Sequence, residues 1–176
     1  MFVTLADFQV QIQEVHLLEV LENDLTIVTR ISIIAQSEIE SYLRGSFDVA
    51  KIFFPITNYS AVVTYAVGNV VRYNDLLYVC KLASTNNLPT NTTYWEQEDT
   101  RNLLILMYLV DIALYHPHSR IMLNNVPQMR IIRYEQAISW LEAVSKGKLS
   151  PDLPTLPDTL PNNFKMISTP TNVWYY

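Results

Sequence analysis

The residue whose setting most demands a chemical explanation is Asp111. It interrupts Leu103–Val110, the longest apolar run in the chain, and is followed by Ile112-Ala113-Leu114-Tyr115. A lone carboxylate buried among such neighbours is costly, so it needs a cation. Arg133 or Arg130, one predicted helix later, can supply it. No second acid, histidine or nucleophile keeps company with Asp111, so the pattern reads as a structural ion pair, Asp111–Arg133, and not as a general acid. His116 and His118 flank Pro117. Two imidazoles at i and i+2 around a proline point apart, and no cysteine or carboxylate follows closely, so no metal site is expected. Cys80, the one cysteine, excludes an internal disulfide and a paired-cysteine zinc site, and its apolar strand setting suits an inert thiol. With three glycines in all, the chain has no G-x-S-x-G, P-loop or G-x-G-x-x-G. The residues point to a protein without catalysis and without a cofactor.

Helical periodicity must position most of these groups. Thr4 with Asp7 forms a capping box ahead of a helix over Leu5–Val15. Asp24 caps a second, Leu25–Leu43, with a stripe of Ile27, Ile31, Ile34, Ala35, Ile39, Tyr42 and Leu43. Thr100 caps Arg101–Tyr115, apolar almost all round and read as a central buried helix that His116-Pro117 terminates. Asn124 or Asn125 caps Pro127–Lys146, with Ile131, Tyr134, Ile138, Leu141 and Val144 on one face and Gly147 at its end. Leu103, Leu104, Met107, Tyr108, Ile112, Ile138 and Leu141 are expected deep in the core.

Between the second and third helices the pattern changes. Ala61–Tyr65, Val70–Tyr73 and Leu76–Cys80 are β-branched and aromatic, with Asn74-Asp75 as a tight turn. At the far end, Pro151, Pro154, Pro157, Pro161 and Pro170 forbid regular helix. The expectation is a mainly α chain: a small helical bundle (1–57 plus 99–149), a small all-β insertion (58–98) and an extended Pro-rich C-terminal tail (150–176). Phe164, Trp174, Tyr175 and Tyr176 are too apolar for a solvated tail, so it is expected to dock on a neighbour in extended form.

Composition points the same way. Apolar residues make up 49% of the chain and charged ones 16%, which leaves little sequence for a solvated surface and implies cover by other subunits. The net charge of −5 and the scatter of Arg130, Arg133, Lys146 and Lys148 argue against gripping nucleic acid. An acidic wall would still let DNA slide past. No basic stretch followed by a long apolar run opens the chain, and Leu103–Val110 falls short of the roughly 20 residues of a bilayer span, so neither a leader nor a membrane anchor is expected.

Three helical pieces, in order, resemble the head–tail connector (head-completion, adaptor) family of Mu-like and related tailed bacteriophages. Ala35-Gln36-Ser37-Glu38-Ile39-Glu40-Ser41-Tyr42-Leu43-Arg44 is similar to its A-x-x-E-I-x-x-Y-L helix end. Asp111-Ile112-Ala113-Leu114-Tyr115 is similar to its D-I-A-x-Y helix, and Arg133-Tyr134-Glu135-Gln136-Ala137-Ile138-Ser139-Trp140-Leu141 with Lys146-Gly147-Lys148 to its R-Y-x-x-A-I-x-W-L helix. The resemblance implies a virion protein made in the bacterial cytoplasm. It would be a ring subunit, usually twelve-fold, between the portal vertex and the tail. Its partners would be copies of itself, the portal protein and neighbouring neck or tail rings, with DNA as a passing occupant of the channel. The insertion, from Tyr65 to Cys80 and on to Asn86, Pro89, Tyr94 and Trp95, is similar to chitinase-type carbohydrate-binding modules. That likeness implies an alternative, a carbohydrate- or host-surface-binding accessory protein. Tyr94 and Trp95 would then be its sugar contacts, or else core and protein-contact residues in a module too small to spare them.

Overall fold

The computed structural model describes residues 2–121 and 126–157. The chain opens with the capping box: the Thr4 N–H donates to the Asp7 carboxylate at 2.7 Å and the Asp7 N–H to Thr4 Oγ1 at 3.3 Å. Helix α1, Leu5–Gln9, then stops, and α2 runs Glu14–Val20. The single helix expected over Leu5–Val15 is therefore two. On one continuous helix Phe8 and Leu17 would project from opposite sides. The break lets both enter the core, where both are fully buried.

Helix α3 spans Thr26–Leu43, with Asp24 Oδ1 accepting from the Thr26 N–H at 2.9 Å. Val28, Ile31, Ala35, Ile39 and Leu43 face inward, while Ile34, expected on that stripe, is exposed beside Ile33. A short α4, Val49–Ile52, is capped by the Asp48 carboxylate.

Six strands follow: β1 Thr57–Asn58, β2 Thr64–Tyr65, β3 Val70–Tyr73, β4 Leu76–Cys80, β5 Ser84–Thr85 and β6 Trp95–Gln97. Their order is β1-β3-β4-β6 in one sheet, with β1 parallel to β3 and the other pairs antiparallel; β2 and β5 form a separate two-stranded ribbon. Asn74 and Asp75, both at left-handed φ (50° and 61°), make the tight turn between β3 and β4 that their sequence demands.

These sheets overturn the expectation of a mainly helical chain. The protein is 46% helix and 13% strand in two sheets, a mixed architecture. The physical reason is that the larger sheet is covered on both faces. Val70 and Leu77 pack on the helical core, while Val71, Tyr78 and Cys80 turn to a second cluster around Tyr65 and Trp95. Alternation along β4 thus ties the two clusters together.

Helix α5, Leu103–Ile121, does not end at His116 as expected; Pro117 lies inside it. The proline forfeits one backbone hydrogen bond. Burial of Pro117 and His118, and the 2.7 Å contact of His118 Nδ1 with the Leu114 carbonyl, hold the helix on course. The cap is Asn102, whose Oδ1 accepts from the N–H groups of Leu104 and Ile105 at 3.1 Å, and not Thr100. Helix α6 spans Gln128–Ser145 and closes on Gly147 at φ +68°, with the Lys148 N–H reaching the Ala143 carbonyl at 2.8 Å. Asn124 and Asn125 lie outside the described residues.

Helices α3, α5 and α6 pack pairwise as a three-helix bundle. Ile112 and Leu141 are fully buried there and Tyr108 and Ile138 are half-buried. Leu103, Leu104 and Met107 are exposed, contrary to expectation. An apolar circumference does not say which side this chain covers, and here α3 and α6 cover only part of it.

Beyond α6 the first part of the Pro-rich segment lies against the residues just after α3. The Asp48 N–H donates to the Pro154 carbonyl at 2.8 Å, Phe47 bridges Thr155, and Leu153 is buried. The aromatic docking residues Phe164, Trp174, Tyr175 and Tyr176 lie outside the described residues. Among the described residues no helix is long and apolar enough to cross a membrane.

Candidate functional site

The apolar run of α5 carries Asp111 to the wall shared with α6. Its Oδ1 lies 3.4 Å from Arg133 Nη1 and 3.6 Å from Arg130 Nη1. Both cations come from the first half of α6, one turn apart on one face. The loop after α1 ties them down: Arg130 Nη2 donates to the Gln11 carbonyl at 3.1 Å and Arg133 Nη1 to Gln11 Oε1 at 3.2 Å. The cluster is loosely bonded for its depth. The Asp111 side chain is 5% exposed, and Arg130 Nη1 is buried without a hydrogen bond. Burial pushes the Asp111 carboxyl above the usual carboxylate range, against the pull of Arg133 and Arg130. Burial likewise lowers Arg130.

A second buried charge cluster escaped the sequence reading. Arg101, just ahead of α5, has a side chain only 6% exposed. Its guanidinium grips the Asp7 carboxylate with both terminal nitrogens, at 2.7 and 2.9 Å. It grips Asp99 through Nε and Nη2, at 2.9 and 2.7 Å. Nη1 also donates to the Phe2 carbonyl at 2.8 Å. Burial would raise the Asp99 carboxyl, but the hydrogen bonds and charge of Arg101 hold it below the usual range. Asp99 and Arg101 side by side at the entrance to the most apolar helix were the available signal. Asp7, the other half, lies too far along the chain to be read from it.

Glu38 of α3 makes a third polar junction, accepting from Tyr134 of α6 at 2.9 Å and contacting His116 of α5 at 3.2 Å, so it joins all three bundle helices. The rings of Tyr115 and Tyr134 stack beside it at 4.1 Å. His116 and His118 thus serve different contacts, and among the described residues no metal-ligating cluster forms.

The bundle also carries two faces with exposed apolar side chains that the described residues leave uncovered. Between α5 and α6 lies a groove of about 860 Å³ whose lining includes Met107, Tyr108, Trp140 and Leu149, with Asp111 and Arg133 in its wall. On α3, Ile33 and Ile34 are 57% and 46% exposed beside Arg30. Helical periodicity puts them opposite the buried stripe of α3, and that stripe faces α5 and α6. The exposed side of α3 and the groove therefore lie on opposite sides of the bundle.

In the β segment Trp95 is 1% exposed, with its ring edge-to-face against Tyr65 and Tyr59 and its Nε1 donating to the Asn87 carbonyl at 2.9 Å. Such a ring holds the small core together, with no face open to stack on a sugar. Tyr94 beside it is half-buried. Cys80 is buried with them, and burial raises its thiol above the usual range.

Residues 99–168 match the family model described as Bacteriophage Mu, Gp36. The matched stretch contains Arg101, α5, α6, Asp111 and both of its arginines, along with the second and third helical motifs quoted above. The α3 motif and the β segment fall outside it. The match indicates a bacteriophage protein. No curated protein and no solved structure matches the chain.

Proposed function

We propose that this bacteriophage protein is a structural component of the virion, a head–tail connector (adaptor) subunit without catalysis of its own. Copies of it form a closed ring at the neck, between the portal protein and the neighbouring neck or tail rings. DNA passes through the ring and is not gripped.

The observation that carries this reading is the pair of faces with exposed apolar side chains on opposite sides of one small bundle. A subunit that repeats around a ring meets a copy on each flank, and its flanks must differ. A self-sufficient monomer of this size has no use for exposed Ile33, Ile34, Leu103 and Met107. The family match, which covers α5 and α6, supports the same class of protein. The low charge content and negative net charge suit a wall that DNA slides past. On this reading the aromatic C-terminus (Phe164, Trp174, Tyr175, Tyr176) anchors the subunit to an adjacent copy or ring, since aromatic anchors commonly dominate such contacts.

The test is localisation. Mass spectrometry of purified phage particles should find the chain in ring-like stoichiometry, and cryo-EM of the neck should hold density for its bundle. Absence from purified particles would refute the proposal.

A further inference from the structure

We infer that the end of the bundle where α5 meets α2 and α6 is acid-sensitive: protonation of His118 unseats the last turn of α5, residues 118–121. This device is independent of the ring proposed above.

Pro117 withholds the N–H that the Ala113 carbonyl would take in an unbroken helix, so α5 is weakened where its last turn begins. The next residue compensates. His118 is only 6% exposed, and its Nδ1 lies 2.7 Å from the Leu114 carbonyl. A carbonyl oxygen only accepts, so Nδ1 carries the hydrogen of the neutral ring and Nε2 the lone pair. An added proton must go to Nε2.

The surroundings offer that proton no counter-charge. His118 lines a groove of about 600 Å³ together with His16 and Glu19 of α2 and Arg130 and Arg133 of α6. His16 and Glu19 are mostly exposed and face each other at 3.7 Å. Asp111 of α5 is occupied by the two arginines. Glu38 of α3 is engaged by His116 and Tyr134, and Asp7 of α1 by Arg101. No carboxylate among the described residues stands against the His118 ring, and the nearest charge is the cation of Arg130. Burial holds the imidazole below the ordinary histidine range, and Arg130 adds to that against the pull of the Leu114 carbonyl. The stability lent by the neutral ring is therefore complete above the ordinary value, about 6.5, and is lost as pH falls toward the lowered folded one. The charged ring is accommodated once the turn has opened to water.

The test is amide hydrogen exchange, read by mass spectrometry on the full-length chain at pH 7.5 and 5.5 and corrected for the intrinsic pH dependence of exchange. In the parent, peptides covering 114–121 should lose protection by up to about tenfold at pH 5.5, the ratio of charged to neutral ring in an exposed histidine there, while peptides of α3 hold theirs. His118→Asn keeps a donor for the Leu114 carbonyl and cannot titrate, so its α5 end should be equally protected at both pH values. A parent that changes by less than about twofold, or a variant that loses protection as the parent does, overturns the inference. If the variant does not fold, NMR titration of the His118 ring in the parent decides. Proton uptake below the ordinary value, coincident with the loss of protection, supports the device; uptake at the ordinary value with the turn still protected refutes it.

Discussion

Arg101 and Asp111 stand on the same stretch of chain, and each is a charge buried at the flank of α5. One arginine sits between two carboxylates; one carboxylate sits between two arginines. The first cluster is tight, with bidentate grips on Asp7 and Asp99 and a fifth bond to the Phe2 carbonyl, all at 2.7–2.9 Å. The second is slack, with one hydrogen bond of 3.4 Å and one contact of 3.6 Å from a buried Arg130 nitrogen that makes no hydrogen bond. A buried ion pair offsets its desolvation only when geometry is good and the remaining hydrogen-bonding groups are satisfied. Arg101 meets that condition and Asp111 does not. Their positions explain why. Arg101 is enclosed by three segments that must be held together: the residues ahead of α1, α1 itself and the approach to α5. Asp111 lies in the wall of a groove that the other described residues do not fill, so fewer segments close around it.

The comparison is most directly broken by removing the tight centre. Arg101→Met leaves Asp7 and Asp99 without their cation, and should lower the free energy of unfolding by about 3–5 kcal/mol, the usual cost of breaking a buried pair from one side. Urea denaturation followed by circular dichroism would measure it. A loss under about 1 kcal/mol, within the range of exposed pairs, would mean that the cluster is decoration. Asp111→Asn should cost less, roughly 1–3 kcal/mol, because it orphans Arg130 but also removes a carboxylate that burial already penalises. If Asp111→Asn proves the more damaging of the two in the same experiment, the contrast drawn from bond lengths is wrong.

The two clusters also differ in how far the sequence disclosed them. Asp111 was legible because a carboxylate breaks an apolar period, and the arginines of the next helix share one face. Arg101 was not, because its partners Phe2 and Asp7 come from the far end of the chain and no local pattern links them. The same division runs through the fold. Short-range signals read true at Thr4–Asp7, at the Asn74-Asp75 turn and at Gly147, where a few residues settle the backbone. They misled at Pro117, where the burial of its neighbours keeps a helix going that local sterics would stop. Strand patterning located β3 and β4, but it could not say that β4 is covered on both faces, and that cover turns an expected helical bundle with an insertion into a mixed fold. Leu103, Leu104 and Met107 misled for another reason. Periodicity reports that a side chain is apolar, and is silent on whether its cover comes from this chain or from a partner.

The smallest effect expected is also the one that separates the clusters by sign. Asp111 has a carboxyl raised by burial, so the folded state holds its proton more tightly than the unfolded state does. Its ionisation then costs stability as pH rises from the ordinary aspartate value, near 3.9, through the raised folded value. Asp99 is held low by Arg101, so its contribution is complete above the ordinary value and is lost as pH falls through the lowered one. Asp99 is partly exposed, and solvent screening shrinks its share. Measured as differences from the parent protein, the two substitutions should therefore drift in opposite directions on acidification from pH 7.5. The cost of Asp111→Asn should grow, because the parent gains when Asp111 takes up its proton and the asparagine variant cannot. The cost of Arg101→Met should shrink, because the parent loses what Asp99 supplied. Carboxylates whose surroundings a substitution leaves alone cancel in each difference, so the slopes report the groups in contact with these two sites. Parallel slopes would show that a carboxylate between two arginines and an arginine between two carboxylates are electrostatically alike here, whatever their bond lengths suggest.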